Sequence, residues 1–242
     1  MAKENLILVA LLITALLIAT VAVLGAGCAT KEQQQGQGQQ QPPQGQQPPQ
    51  QPSMLFSDDF NTDQAGAIPT KWTTVIKDNL FASVKGTTQS NDIFGMVLEL
   101  KGRFVKAGES NWKDYTVSTE FNIYNAGEHT GPELMFRVQD DNNYYLFSTE
   151  TQPTGTNYIL YKVTDGIKFE FKQKAASKKI DDGKWHKLKV SIQGNDFTAD
   201  IDDTNVMTTT VDGTFNKGYI GLTTHPFSDI YFDNIIVIGT TA

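Results

Sequence analysis

Arg137, Glu133 and Tyr145 bring a guanidinium, a carboxylate and a phenol into one short stretch, GPELMFRVQDDNNYYLFS, residues 131–148. Arginine and glutamate hold hydroxyl groups by charge-assisted hydrogen bonds, and a tyrosine ring packs on the apolar face of a pyranose. The stretch consists of two apolar–polar alternations around a polar cluster, Gln139 to Asn143. Alternation at period two sets Leu134, Phe136 and Val138 on one face of a strand and Glu133, Met135 and Arg137 on the other. A hairpin closed simply over Gln139–Asn143 places Tyr145 opposite Arg137, and Lys162 extends that surface from the next strand. Leu134, Phe136, Val138 and Leu146 are then expected in the core, with Arg137, Glu133 and Tyr145 on a binding face. The plainer alternative is a cross-strand Arg–Glu or Arg–Tyr pair on a solvated sheet.

Catalytic signatures are thin. Carboxylate catalysis on a glycosidic bond needs two acids held across that bond, yet the closest local pair is Asp200-x-Asp202. Asp202 and Asp203 fall where the strand from Phe197 must turn into the strand from Val206, so a turn is the expectation there. His129, His186 and His225 are far apart and in no metal-ligand spacing. His186 is expected to point outward beside Trp185, and His225 to sit in the loop HPFSD. No G-x-S-x-G elbow and no phosphate-binding glycine loop occur. Asp233 interrupts an apolar strand on the face assigned to Tyr231, Ile235 and Val237, and a carboxylate among apolar neighbours needs a partner. One reading is a structural calcium shared with Asp59; the other is a bond to backbone amides or to the Asn61 side chain, or a place at an exposed edge. The second is the expectation, and no cofactor is expected.

The charge distribution narrows the partners. The formal net charge is −7 over 242 residues, and all of it resides on Met54 to Ala242. An acidic domain repels phosphate backbones, so nucleic acid is excluded as a partner. The one basic run, Lys168 to Lys179, is interleaved with Phe169 and Phe171 and reads as a solvated strand face. Cys28 is the single cysteine, which excludes an intramolecular disulfide.

Residues 1–27 read as a signal peptide or membrane anchor, because Leu6 to Leu24 is an unbroken run of apolar residues and threonine. The following LGAGCAT resembles the lipobox of bacterial and some archaeal lipoproteins, with Gly25 where a leucine is usual. That resemblance implies lipidation of Cys28 and attachment to the cell membrane or outer membrane; an uncleaved transmembrane helix is the alternative. Residues 28–53 are dominated by Gln, Pro and Gly and bury too little apolar surface to fold. As a flexible coil, about 25 such residues span roughly 25–30 Å, enough to lift a domain off a bilayer.

Residues 54–242 read as strand after strand, with no helical stripe. Fourteen strands are expected, from Leu55–Phe60 and Trp72–Ile76 through Tyr115–Ile123, Leu134–Val138 and Tyr144–Ser148 to Ile230–Ile238. Asp165-Gly166 and Gly194-Asn195 mark tight hairpins, and Asp182-Gly183 and Asp212-Gly213 further turns. Strands joined by such turns form an all-β, antiparallel two-sheet sandwich.

The segments SDDFNTDQAGAIPTKW, WKDYTVSTEF, LMFRVQDDNNYYLF, YKVTDG, GKWHKLKVSIQGNDFTADID and GYIGLTT followed by YFDNIIV come in this order. In that order they resemble the concanavalin A-like, laminin-G-like jelly-roll superfamily over nearly all of Phe56 to Val237. The resemblance implies that Trp72, Trp112 and Trp185 pack the core or its edges. Its branches include glycan-binding modules, glucanase-like enzymes and keto-disaccharide hydrolase-like proteins. The E-x-D-x-E strand of the glucanases is absent here. The expectation is a cell-surface domain that binds a carbohydrate or cell-wall glycan without catalysis. A glycoside-processing enzyme and an adhesive protein that binds another protein are the alternatives.

Overall fold

The computed structural model describes residues 51–75, 81–86, 95–102, 104–125, 131–176, 178–180, 183–225 and 228–241. The N-terminal apolar run, Cys28, all but the end of the linker, His129 and Asp182 lie outside the described residues. Among the described residues, fifteen strands follow in chain order. They are β1 (Ser53–Asp58), β2 (Thr73–Val75), β3 (Phe81–Gly86), β4 (Met96–Lys101), β5 (Phe104–Ala107), β6 (Trp112–Asn125), β7 (Pro132–Asp140) and β8 (Asn143–Gln152). The remainder are β9 (Gly155–Thr164), β10 (Ile167–Ala176), β11 (Trp185–Gln193), β12 (Asp196–Ile201), β13 (Thr204–Thr210), β14 (Tyr219–Thr224) and β15 (Asp229–Thr241). Only β5 was not expected; four residues between Gly102 and Gly108 are too short a run for alternation to mark.

The strands form two antiparallel sheets. The eight-stranded sheet runs β13-β12-β11-β6-β15-β4-β3, with β1 also paired to β15, and the seven-stranded sheet runs β10-β9-β8-β7-β14-β5-β2. The core lies between them and includes Phe121, Ile123, Val190, Phe197, Phe232 and Val237 facing Leu134, Phe136, Phe147, Leu160, Ile220 and Leu222. Side chains alternate across each strand, so one face of each sheet supplies this core and the other faces out.

Turn chemistry explains several connections. Asp165 and Gly166 adopt φ of 52° and 76°, and Asp202 and Asp203 adopt 49° and 58°. Two consecutive left-handed residues are what a type I′ hairpin turn requires, so the turn reading of Asp202-Asp203 holds. Trp72 and Trp112 are buried in the core, as expected; the Trp72 indole Nε1 donates to the buried Asp58 carboxylate at 2.9 Å.

Two bulges break the period-two reading. Arg137 has φ 50°, and the β7–β8 register shifts between Phe136 and Asp140. The hairpin tip is the pair Asp140–Asn143 rather than a five-residue loop, and Tyr145 pairs with Phe136 instead of Arg137. A shift of one residue moves every side chain beyond it to the other face. Leu134 and Phe136 stay in the core, whereas Val138 and Leu146 are buried in a separate cluster with Met135 on the outer face of the sheet. The second bulge is at Asn234, also φ 50°, where the β15–β6 register shifts between Asp233 and Ile236. Asp233 is not on the face of Ile235 and Val237; those two enter the core and Asp233 lies on the other side of the strand.

Candidate functional site

The outer face of the seven-stranded sheet carries a continuous aromatic surface. Outward positions on β14, β7, β8 and β9 hold Tyr219, Met135, Tyr144, Leu146 and Tyr161, and Phe104 comes from β5. Met135, Val138 and Leu146 form its buried floor, with the half-buried rings of Phe104, Tyr144, Tyr161 and Tyr219 packed on it. The rings of Phe104 and Tyr144 lie 5.9 Å apart at 52°. Gly221 makes this arrangement fit, because a Cβ there would meet the Phe104 ring at 2.6 Å and the Met135 methyl at 3.0 Å. From Tyr219 on β14 to Tyr161 on β9 the surface crosses three ladder spacings, roughly 14–15 Å.

Polar groups alternate with the rings. Glu133 on β7 accepts from the Ser148 hydroxyl at 3.0 Å and sits 3.5 Å from the Lys168 ammonium. The Lys168 ammonium also lies 5.3 Å from the Tyr161 ring centre, and that of Lys106 lies 5.5 Å from the Tyr219 ring. The Tyr161 hydroxyl donates to Glu150 at 3.4 Å. Burial, with Glu150 and Glu170 nearby, pushes the Tyr161 phenol up to about 12. Burial, with Glu133 and Asp141 nearby, does the same to Tyr144. Both phenols are therefore neutral at physiological pH and can donate as well as accept hydrogen bonds.

Of the three residues expected on a binding face, only Glu133 is on this surface. Tyr145 is 0 % exposed and faces the core, its ring stacked on Phe136 at 5.3 Å. Its hydroxyl donates to Asp212, which also pairs with Lys162 at 2.6 Å. Burial opposes ionisation of Asp212, but the hydrogen bonds from Lys162, Tyr145 and Thr214 outweigh it and hold the carboxyl well below its usual range. Lys162 therefore serves this internal network and does not extend the outer face.

Arg137 is 1 % exposed. Its guanidinium donates to the backbone carbonyls of Phe215 at 3.1 Å, Lys113 at 3.2 Å and Gly194, with Asp114 at 3.5 Å. Its own backbone amide donates to the Tyr115 hydroxyl at 2.8 Å. With those donors committed, Arg137 ties β7 to β6 and to the turn after β11 and has no outward face to offer.

Sequence reasoning missed Tyr144, Tyr161 and Tyr219. The signal was present for Tyr219, which alternates against Ile220 and Leu222. His186 also differs from expectation, because it shares the phase of Leu188, Val190 and Ile192 and its ring lies 5.5 Å from Phe121. Among the described residues no group of three or more His, Cys, Asp or Glu side chains is arranged to hold a metal ion. Asp233 takes the amide hydrogen bond expected of it, from Asn234 at 2.7 Å.

Comparison with known proteins places the fold. In solved structures, the carbohydrate-binding module CBM66 from Bacillus subtilis matches with a TM-score of 0.53 and 24% identity, over 69% of this chain and 94% of the module. Domain 4 of AbnA, a GH43 extracellular arabinanase from Geobacillus stearothermophilus solved with arabinotriose, matches at 0.52 and 16% over 79% and 95%. A GH16 protein of Bacteroides ovatus, from its mixed-linkage glucan locus and solved with a product, matches at 0.55 and 14% over 76% and 99%. At these identities the likeness carries the fold alone. No curated protein sequence matches the chain. The family described as the galactocerebrosidase C-terminal lectin domain matches residues 101–240, more than half of the sequence and every strand of the aromatic face except β2. By that match, the chain belongs to the galactocerebrosidase C-terminal lectin-domain family, on a concanavalin-like jelly roll.

Proposed function

We propose that the chain is a membrane-anchored cell-surface lipoprotein whose sandwich binds a carbohydrate, without catalysis, on the outer face of the seven-stranded sheet. One observation carries the reading: Phe104, Tyr144, Tyr161 and Tyr219 stand on the side of the sheet that the core does not use, among Glu133, Glu150, Lys106 and Lys168. Aromatic rings offer flat apolar area to the C–H faces of sugars, and the charged groups around them match hydroxyls by hydrogen bonds. Membership of a lectin-domain family and likeness to a carbohydrate-binding module support the ligand class.

A glycan array probed with the full chain tests this. Tyr161→Ala and Tyr144→Ala are each expected to weaken binding of the best glycan by about tenfold or more, as loss of a central aromatic anchor does. Silence on every glycan overturns the reading in favour of a protein partner. Release of reducing ends from a bound glycan overturns its non-catalytic part and turns attention to Glu133 and Glu150, which lie on neighbouring strands of this face.

The anchor has its own test. Growth with a clickable fatty acid is expected to label the parent chain and leave Cys28→Ala unlabelled. Equal label in both would exclude lipidation at Cys28 and leave the uncleaved helix.

A further inference from the structure

At one open end of the sandwich the sheets part around a cavity of about 310 Å³. It lies inside the sandwich rather than on the aromatic face, since Tyr158, which lines it, belongs to the core and alternates with Tyr161 on β9. Tyr158, Ile180, Ile201 and Val206 give it an apolar floor, each less than a tenth exposed. Exposed Lys174 and Lys178 and half-buried Lys179 line it together with His186 and Asp202.

The basic run is thus not one solvated face. Lys168 goes to Glu133 on the aromatic side, Lys172 donates to the Thr208 carbonyl across the sandwich edge at 2.9 Å, and Lys174, Lys178 and Lys179 meet at the cavity. Asp202 is the one carboxylate of that lining among the described residues, and both its oxygens are engaged. One lies 2.8 Å from His186 Nδ1 and the other accepts the Lys187 amide at 2.9 Å. Among the described residues, the side chains of Lys174 and Lys178 make no direct ion pair or hydrogen bond, although Lys178 is near enough to Asp202 to help hold that carboxyl below its usual range. Lys174 and Lys178, beside a described carboxylate that is already engaged, form a local cationic site for an anion in a chain of net charge −7. The volume is at the small end of ligand cavities and suits a single sugar unit.

We propose that this cavity binds an acidic sugar, with its carboxylate between Lys174 and Lys178 and its ring on the floor of Tyr158, Ile180, Ile201 and Val206. Two lysines supply the charge-assisted hydrogen bonds, and the apolar floor distinguishes a sugar acid from a bare anion. This second site is independent of the aromatic face.

Calorimetric titration of the full chain with methyl glucuronide, methyl glucoside, acetate and inorganic phosphate tests it, with the His186 imidazole signals followed by NMR. Methyl glucuronide is expected to bind saturably and shift the His186 signals. Replacing both lysines (Lys174→Gln with Lys178→Gln) is expected to weaken it by about tenfold or more, since one charge-assisted bond is worth about that factor. Tyr161→Ala is expected to leave it unchanged. Equal binding of methyl glucoside overturns the requirement for charge, and equal binding of acetate or phosphate overturns the requirement for a sugar. Absence of glucuronide binding, unmoved His186 signals, or full affinity in the double variant overturns the site itself. Loss in Tyr161→Ala instead would place the sugar acid on the aromatic face and also overturn it.

Discussion

Arg137→Ala is expected to cost the fold roughly 3–5 kcal/mol while leaving glycan affinity at the level of the parent chain. The guanidinium is buried, and three backbone carbonyls from separate segments converge on it. Removing it leaves the carbonyls of Lys113, Gly194 and Phe215 without this donor and opens a hole between β7 and the opposite sheet. In a domain of this size that loss lowers the midpoint of thermal unfolding by roughly 6–20 °C. Arg137→Lys is expected to recover little, because one ammonium cannot reproduce a planar fork aimed at three acceptors. Arg137→Gly separates the two contributions. It relieves the left-handed φ of 50°, worth about 1–2 kcal/mol, yet still loses the guanidinium. A melting curve for each variant, beside its binding isotherm, checks this. Lost affinity with an unchanged midpoint would return Arg137 to the binding face and remove its structural role.

The same arginine shows where sequence is a good guide and where it fails. Alternation and turn chemistry were enough for the all-β sandwich, because residues such as Asp165-Gly166 and Asp202-Asp203 announce their turns through the backbone they tolerate. Period two then assigns a face to every residue of a strand, provided that the strand has no bulge. Arg137 adopts a left-handed conformation without being Gly or Asn, so nothing in the local sequence marked the slip that exchanged Tyr145 for Tyr144. Asn234 carried a weak mark, since asparagine accepts that conformation more readily than most residues. His186 was legible, being in phase with Leu188 and Val190, and was misread through its neighbour Trp185. The cavity was not legible, because its lining joins β9, β10, β11, β12 and β13 with residues 178–180 through tertiary structure alone.

The second bulge creates the strongest pH dependence expected of this fold. Asp233 is 1 % exposed, and burial, followed by the nearby carboxylates Asp59, Glu120 and Asp58, pushes its carboxyl up to about 7; the Asn234 amide only partly offsets this. No lysine or arginine among the described residues pairs with it, since Lys71 at this end of β1 is engaged by Asp58. The unfolded chain holds the same carboxyl near 3.8. A group that binds its proton more tightly when folded adds stability that is fully present below about 4 and is lost as pH rises through about 7. The rise corresponds to roughly 4 kcal/mol. Glu120, raised mainly by burial, acts in the same direction. Asp59, Asp200, Asp202 and Asp212 are lowered and lose their contribution only as pH falls below the ordinary carboxylate range, outside this window. The unfolding midpoint of the parent chain is therefore expected to fall between about pH 4 and pH 8, and Asp233→Asn to remove most of that fall. At pH 8 the variant is then the more stable protein, although it has lost a carboxylate that accepts a backbone amide. A midpoint independent of pH in the parent, or one that calcium raises and chelator lowers at pH 8, would show that a cation neutralises Asp233 after all. Without such a cation the carboxylate is a destabilising charge above neutrality, and its protonated form is the one this bulge accommodates.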